Sequence, residues 1–208
     1  MRISAIVLAG GRSSRFGGPK LQVLVDGIPL LDRALRATAE VANEVIVVGP
    51  AGGDVGLTDL DGLPSGVRVE VVLDPEEGGG PLVGLRTGLD AATGERAIVV
   101  GGDMPRLEPA VLRALLDRLD RPSAAGLGSP DAVVLGQRGG GRPLPVALRH
   151  ADARRAIAEA VAAGETALHA ALARLTMVEL PEEEWRALDP AGGSLLDVDT
   201  PADLDAAH

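Results

Sequence analysis

The 208-residue chain has no cysteine. That excludes a disulfide framework, a thiolate metal site and a cysteine nucleophile. Tyrosine is absent too, and Phe16 and Trp185 are the only aromatics. The core must therefore be built from Leu, Val, Ile and Ala, and stacking of aromatic rings on single-stranded bases is not available as a general strategy. Net charge is −10 and no basic block offsets it. This disfavours a duplex-binding surface, whose affinity depends on many phosphate contacts, and leaves a small anionic ligand held by a few local cations as compatible. No stretch approaches the ~18 apolar residues of a membrane span. Met1-Arg2 leads into the apolar run Ile3–Leu8 and then at once into a polar loop, so no signal peptide is expected and the expected location is the cytoplasm. The histidines show no metal spacing: His150 and His169 fall in helical patterns and His208 is last. Ser13 and Ser14 lack a nucleophile-elbow context. No internal repeat and no low-complexity tail is present.

Apolar runs alternate with amphipathic helices. Ile3–Leu8, Glu44–Val48 and Ala97–Val100 read as strands buried on both faces. Arg68–Leu73 alternates, with Val69, Val71 and Leu73 on one face, and is expected to be less covered. Leu30, Leu31, Ala34, Leu35, Thr38 and Val41 keep the helical period. So do Val111, Leu112, Leu115, Leu116 and Leu119, behind Pro109 in the first turn. Gln22–Val25, Asp26-Gly27 and Ile28-Pro29 spell a tight turn. Pro50–Gly66 reads as a surface connection. Beyond the polar break Arg121–Gly128, strands are expected at Ala132–Leu135 and Leu144–Leu148, and helices at about Ala151–Ala163 and Thr166–Leu175. Repetition of strand, helix and strand predicts an α/β fold: a mostly parallel sheet with helices on both faces. The break is too short to establish independent domains, so one domain over 1–208 is expected, with halves 1–120 and 130–208.

The most informative segment is Leu8-Ala-Gly-Gly-Arg-Ser-Ser-Arg-Phe-Gly-Gly-Pro-Lys20, directly after the first strand. Glycines let backbone N–H groups approach a polyphosphate closely, and Arg12, Arg15 and Lys20 add positive charge. Backbone donors plus fixed cations at a strand's carboxyl end describe a nucleoside triphosphate site. The loop fits neither better-known template. Pro19 separates Gly18 from Lys20, which breaks the P-loop pattern, and adjacent Gly10 and Gly11 break the dinucleotide fingerprint.

Asp103 follows an apolar strand and Gly101-Gly102, again at a carboxyl end. A carboxylate beside phosphates suits Mg²⁺, which prefers oxygen ligands. A turn cap is the other reading, since Asp-Met-Pro is good turn chemistry. Late in the chain, Thr200, Pro201 and Asp203 are accounted for as a helix start. Asp197 and Asp199 are not, and would share one side if Leu195–Val198 is a strand. Asp199 is the candidate second metal contact. Asp74–Gly84 leaves a strand and enters a helix at Pro81. Its glycines could bring backbone to a base edge, or it could be a plain loop. Arg142 and Arg149 flank a strand, either solvated or facing a second anionic substrate.

The first loop, with Gly80-Pro-Leu82, Gly102-Asp-Met-Pro105 and Asp197-Val-Asp-Thr-Pro201, resembles the molybdenum cofactor guanylyltransferase family, MobA-like nucleotidyltransferases with a Rossmann-like fold. The order and spacing of these motifs match over nearly the whole chain. The resemblance implies Mg²⁺-dependent transfer of GMP from GTP to the phosphate of molybdopterin, releasing pyrophosphate. It implies that Leu8, Ala9, Gly10 and Gly11 hold the nucleotide with Asp74, Gly80, Pro81 and Leu82. Lys20 would contact the phosphates and Arg15 the triphosphate charge. Asp103 would meet both nucleotide and metal. The catalytic set is then Arg15, Lys20 and Asp103, and the metal set Asp103 and Asp199. Implied partners are GTP, a molybdopterin-type acceptor and proteins that deliver the cofactor or chaperone an apoenzyme, with no nucleic acid and no membrane. The Leu-Ala-Gly-Gly form looks more like guanine-using members than cytidylyltransferase relatives. Gly102, Pro19, Gly49-Pro50 and Asp197-Val198-Asp199 stand where the family often has Cys, Asp, an Asn and Asn-x-Asn. The alternatives are a nucleotidyltransferase that uses CTP or another small phosphate, and a non-catalytic nucleotide-binding module.

Overall fold

In the computed structural model, residues 1–10, 16, 19–57, 62–75, 78–122, 128–137 and 142–207 are described. Strand β1 (Ile3–Leu8) lies between β4 (Glu44–Gly49) and β6 (Arg96–Gly101), parallel to both. A seven-stranded sheet extends from edge strand β5 (Arg68–Leu73) through β4, β1, β6, β8 (Val146–Arg149) and β7 (Ala132–Leu135) to β9 (Met177–Leu180). Only β8 runs against its neighbours β6 and β7. Outside this sheet, β2 (Leu24–Val25) and β3 (Ile28–Pro29) form a hairpin. Its turn is Asp26-Gly27, both with positive φ of 49° and 78°, as an Asp-Gly hairpin requires.

Successive side chains of the central strands enter opposite cores. Ala5, Val7, Val45, Val47, Ile98 and Val100 pack on α1 (Leu30–Ala39), α3 (Pro109–Leu119) and α6 (Glu182–Leu188). Ile6, Leu8, Ile46, Val48 and Val99 pack on α2 (Gly80–Ala91), α4 (His150–Ala162) and α5 (Leu168–Leu172). Both faces are covered, which is why these strands read as unbroken apolar runs. In α3 the buried Val111, Leu112, Leu115, Leu116 and Leu119 form the stripe that the sequence spells.

The reduced cover expected for Arg68–Leu73 is found, with Val71 and Leu73 nearly half exposed because β5 is the sheet edge, but other expectations change. The strand expected from Leu144 starts at Val146: Pro145 has no N–H to donate to the ladder. Helix α5 is shorter than Thr166–Leu175. Leu195–Val198 is not a strand. Gly193–Leu195 is a 3-10 turn whose backbone N–H groups at Gly193 and Ser194 donate to the buried Asp189 carboxylate at 3.1 and 2.7 Å. Strand β9 and helix α6 had no counterpart in the sequence reading. Trp185 anchors α6: it is fully buried, and its indole N–H donates to the Gly136 carbonyl at 2.9 Å. No helix among the described residues is long and apolar enough to cross a membrane.

Candidate active site

The parallel strands β1, β4 and β6 end side by side at Leu8, Gly49 and Gly101. Beyond β1, the Ala9 N–H donates to the Val48 carbonyl at 2.8 Å and the Leu8 carbonyl accepts from Gly102 at 2.9 Å. The turn after β6 is closely packed at its glycines. A Cβ on Gly101 would strike the Asp103 carboxylate, and one on Gly102 would sit 3.1 Å from Leu31 and 3.3 Å from the Leu8 carbonyl. The chain thus folds the Asp103 carboxylate back over the end of the sheet.

Two distant segments meet it there. Lys20 opens the 3-10 turn Lys20–Gln22, and its Nζ donates to Asp103 Oδ2 at 2.8 Å and to Asp199 Oδ1 at 3.1 Å. Asp199 is delivered by its neighbours. The buried Val198 packs with Val25 and Leu30, and its N–H donates to the Asp103 carbonyl at 3.0 Å. The Asp203 carboxylate accepts from the backbone of Asp199 and Thr200 at 2.9 and 2.6 Å and from the Thr200 hydroxyl at 2.9 Å. This is the acidic half of the capping arrangement that the sequence spells. These backbone bonds hold the Asp203 carboxyl below the ordinary carboxylate range. The Lys20 side chain is only 12% exposed. Burial by itself would lower its pKa, but the hydrogen bonds and charges of Asp103 and Asp199 outweigh it and the pKa rises. Lys20 is therefore an ammonium at neutral pH.

Leu8, Ala9, Gly10, Lys20, Asp103 and Asp199 line one cleft of ≈ 330 Å³, together with Pro19, Leu21, Gln22, Pro50, Asp54 and Val55. The sequence reading missed the wall formed by Pro50, Asp54 and Val55, which it placed in a surface connection. The available signal was that Gly49 ends a strand beside β1. Asp74 does not line this cleft. Its N–H donates to the Gly49 carbonyl at 2.9 Å, and its carboxylate lies 3.7 Å from where a Cβ on Gly10 or on Gly84 would stand. Burial raises its pKa against a hydrogen bond from Thr87, and its Oδ1 is buried with no partner among the described residues. Gly80, Pro81 and Leu82 open α2 and are not part of the cleft lining either. Leu82 is fully buried in the core, which leaves only its backbone for a ligand. Gly11, Arg12, Arg15 and Gly18 lie outside the described residues.

Asp197 does not share a side with Asp199. It pairs with Arg142, because the segment is irregular and period-2 alternation does not apply. Arg149 lines neither this cleft nor the pocket beside Arg142: it donates to the carbonyls of Pro130 at 3.0 Å and Leu119 at 2.7 Å.

Comparison with known proteins decides the family. The MobA-like NTP transferase domain matches residues 5–179. This chain belongs to the MobA-like NTP transferase family. A probable molybdenum cofactor guanylyltransferase of Chloroflexus aggregans is 34% identical over 207 residues, covering 98% of this chain and 92% of that protein. Another, from Natronomonas pharaonis, is 31% identical over 209 residues, covering 99% and 96%. Among solved structures, the molybdopterin-guanine dinucleotide biosynthesis protein A of Archaeoglobus fulgidus superposes with a TM-score of 0.75 at 24% identity, covering 98% and 96%. The protein is a nucleotidyltransferase, and the α/β sheet with helices on both faces is the fold of that class.

In this MobA-like chain, Asp103 and Asp199 converge on a single cation, the Lys20 ammonium. No group of three or more His, Cys, Asp or Glu with metal-binding geometry exists among the described residues. Such a pair suits a hard divalent ion that keeps waters and takes further oxygens from a phosphate. The arrangement can bring a triphosphate, a divalent ion and a fixed ammonium to one point.

Proposed function

We propose that this MobA-like protein transfers GMP from GTP to the phosphate of molybdopterin, in the cytoplasm, with release of pyrophosphate. The observation that carries the reading is the convergence of Lys20, Asp103 and Asp199 beside the glycine-rich end of β1. The names of the relatives, molybdenum cofactor guanylyltransferases, support the choice of nucleotide and acceptor. An acceptor phosphate oxygen attacks the α-phosphorus of GTP. A new P–O–P linkage forms, and the bond from the α-phosphorus to the bridging oxygen breaks as pyrophosphate leaves. Catalysis of this kind rests on positioning and on neutralising charge.

Backbone groups of Leu8, Ala9 and Gly10 cradle the nucleotide, with Gly11, Asp74 and the start of α2 at Gly80, Pro81 and Leu82. Lys20 leaves the carboxylates for the triphosphate oxygens, and Arg15 adds charge to the same loop. Asp103 and Asp199 would hold Mg²⁺. The ammonium between these carboxylates already occupies a cation position, which is the fit that the donor set offers. When bound, Mg²⁺ would neutralise developing negative charge on the phosphates. Residues 1–120 supply most of the nucleotide site, with Asp199 reaching it from the acceptor half, 130–208. Delivery or chaperone proteins would bring the acceptor or take the product.

The test is pyrophosphate release with each of four NTPs against molybdopterin and common sugar phosphates, with and without Mg²⁺. Turnover with GTP and molybdopterin, lost on chelation and restored by Mg²⁺, is expected. Preference for CTP or for a sugar phosphate would replace the proposed substrates. NTP binding without turnover on any acceptor would point to a non-catalytic module.

A further inference from the structure

A second cleft, of ≈ 270 Å³, shares Asp103 with the nucleotide cleft, and no other described residue lines both. Its walls include Met104, Pro143 and Leu144, and Arg142 is the only cation among its lining residues. Arg142 is 53% exposed at its side chain. Its Nη1 donates to the Asp197 carboxylate and, at 3.4 Å, to the Leu195 carbonyl. Its Nε and Nη2 have no partner among the described residues.

We propose that Arg142 binds the phosphate of the acceptor in this second cleft, and that Asp197 is a positioning residue that holds the guanidinium over it. The inference rests on the function proposed above and adds the acceptor subsite to it. In-line attack needs the acceptor phosphate beside the α-phosphate, so the two substrates must meet at a shared wall. Asp103 is that wall. A guanidinium presents paired N–H donors that match phosphate oxygens, and an orienting carboxylate on one nitrogen fixes the plane of the rest. The apolar sides of Met104, Pro143 and Leu144 fit a phosphate monoester with a flat heterocyclic body better than one with a hydroxyl-rich sugar. The sequence had left Arg142 between solvation and a second anionic substrate, and the cleft favours the substrate.

Initial rates should be measured with GTP and Mg²⁺ saturating and molybdopterin varied. Arg142→Gln should raise the acceptor KM by about 10- to 100-fold, the scale of one charge-assisted contact, while the GTP KM changes by less than about twofold. Arg142→Lys should recover part of the loss, since it restores charge without the fork. Asp197→Asn should raise the acceptor KM less than Arg142→Gln does, and should add almost nothing in the Arg142→Gln background. An unchanged acceptor KM in Arg142→Gln, or a parallel rise in the GTP KM, overturns the assignment. Full additivity of the pair overturns the positioning role of Asp197. A wild type with no turnover on any acceptor overturns the proposed function and this subsite with it. An active wild type with an indifferent Arg142→Gln overturns the subsite alone.

Discussion

Glu44→Gln should cost about 2–3 kcal/mol of stability at pH 7 and leave catalysis alone. Glu44 opens β4 and is 1% exposed. Its carboxylate accepts from the Ser4 hydroxyl at 2.6 Å, from the Thr93 N–H at 2.7 Å and from the Thr93 hydroxyl at 2.8 Å, and it pairs with Arg68. Burial by itself would raise its pKa. Arg68, then Ser4 and Thr93, outweigh that and hold it at about 2, against an ordinary 4.5. At about 1.36 kcal/mol per pH unit, that span is worth at most about 3–4 kcal/mol of folded-state preference for the charged form. Because the folded pKa is depressed, the stabilisation is complete above pH 4.5 and fades as pH falls from there toward 2. Glutamine keeps the shape but loses the charge, and its amide turns a donor toward a pocket of donors. Denaturant melts of wild type and variant from pH 7 to pH 3 should show the gap narrowing in acid. At pH 7 the melting temperature should drop by roughly 5–10 °C. Glu44 lies five residues from Gly49 along the strand, about 16 Å from the site edge, so kcat and KM should not change. A gap below about 0.5 kcal/mol at pH 7, or a gap that does not depend on pH, refutes the reasoning.

Asp103→Ala should reduce turnover by at least about 10³-fold while thermal melting stays within a few degrees of wild type, since the carboxylate belongs to the cleft and not to the core. Activity within tenfold of wild type at ordinary Mg²⁺ would remove Asp103 from the mechanism. Lys20→Ala should weaken GTP binding by about 10- to 100-fold and GMP binding by less than about twofold, measured by calorimetry. Equal losses for the two nucleotides would mean that Lys20 does not contact the outer phosphates.

Legibility followed physical scale. The strands β1, β4, β6 and β7 were readable because burial on both faces leaves an unbroken apolar run, and α1 and α3 because one covered face repeats at the helical period. Lys20 and Asp103 were readable because glycine-rich turns after such strands admit a ligand. Strand β9 escaped notice: Met177-Val-Glu-Leu180 at a sheet edge has a weak pattern, with only Leu180 buried. Helix α6 escaped because Glu182, Glu183 and Glu184 hide its single buried anchor, Trp185.

The amino-acid order alone set the alternation of strands and helices, the hairpin at Asp26-Gly27 and the carboxyl-end loops that carry Lys20 and Asp103. These depend on neighbours within a turn or a strand, whose periodicity and backbone freedom are local. Tertiary structure decided the rest. It placed Asp199 on Lys20 and Asp197 on Arg142, pairs 179 and 55 residues apart in the chain. It brought Pro50, Asp54 and Val55 into the cleft wall and hid Leu82 in the core. Contacts across such separations follow from how layers stack and which helix covers which strand, and no local pattern encodes them.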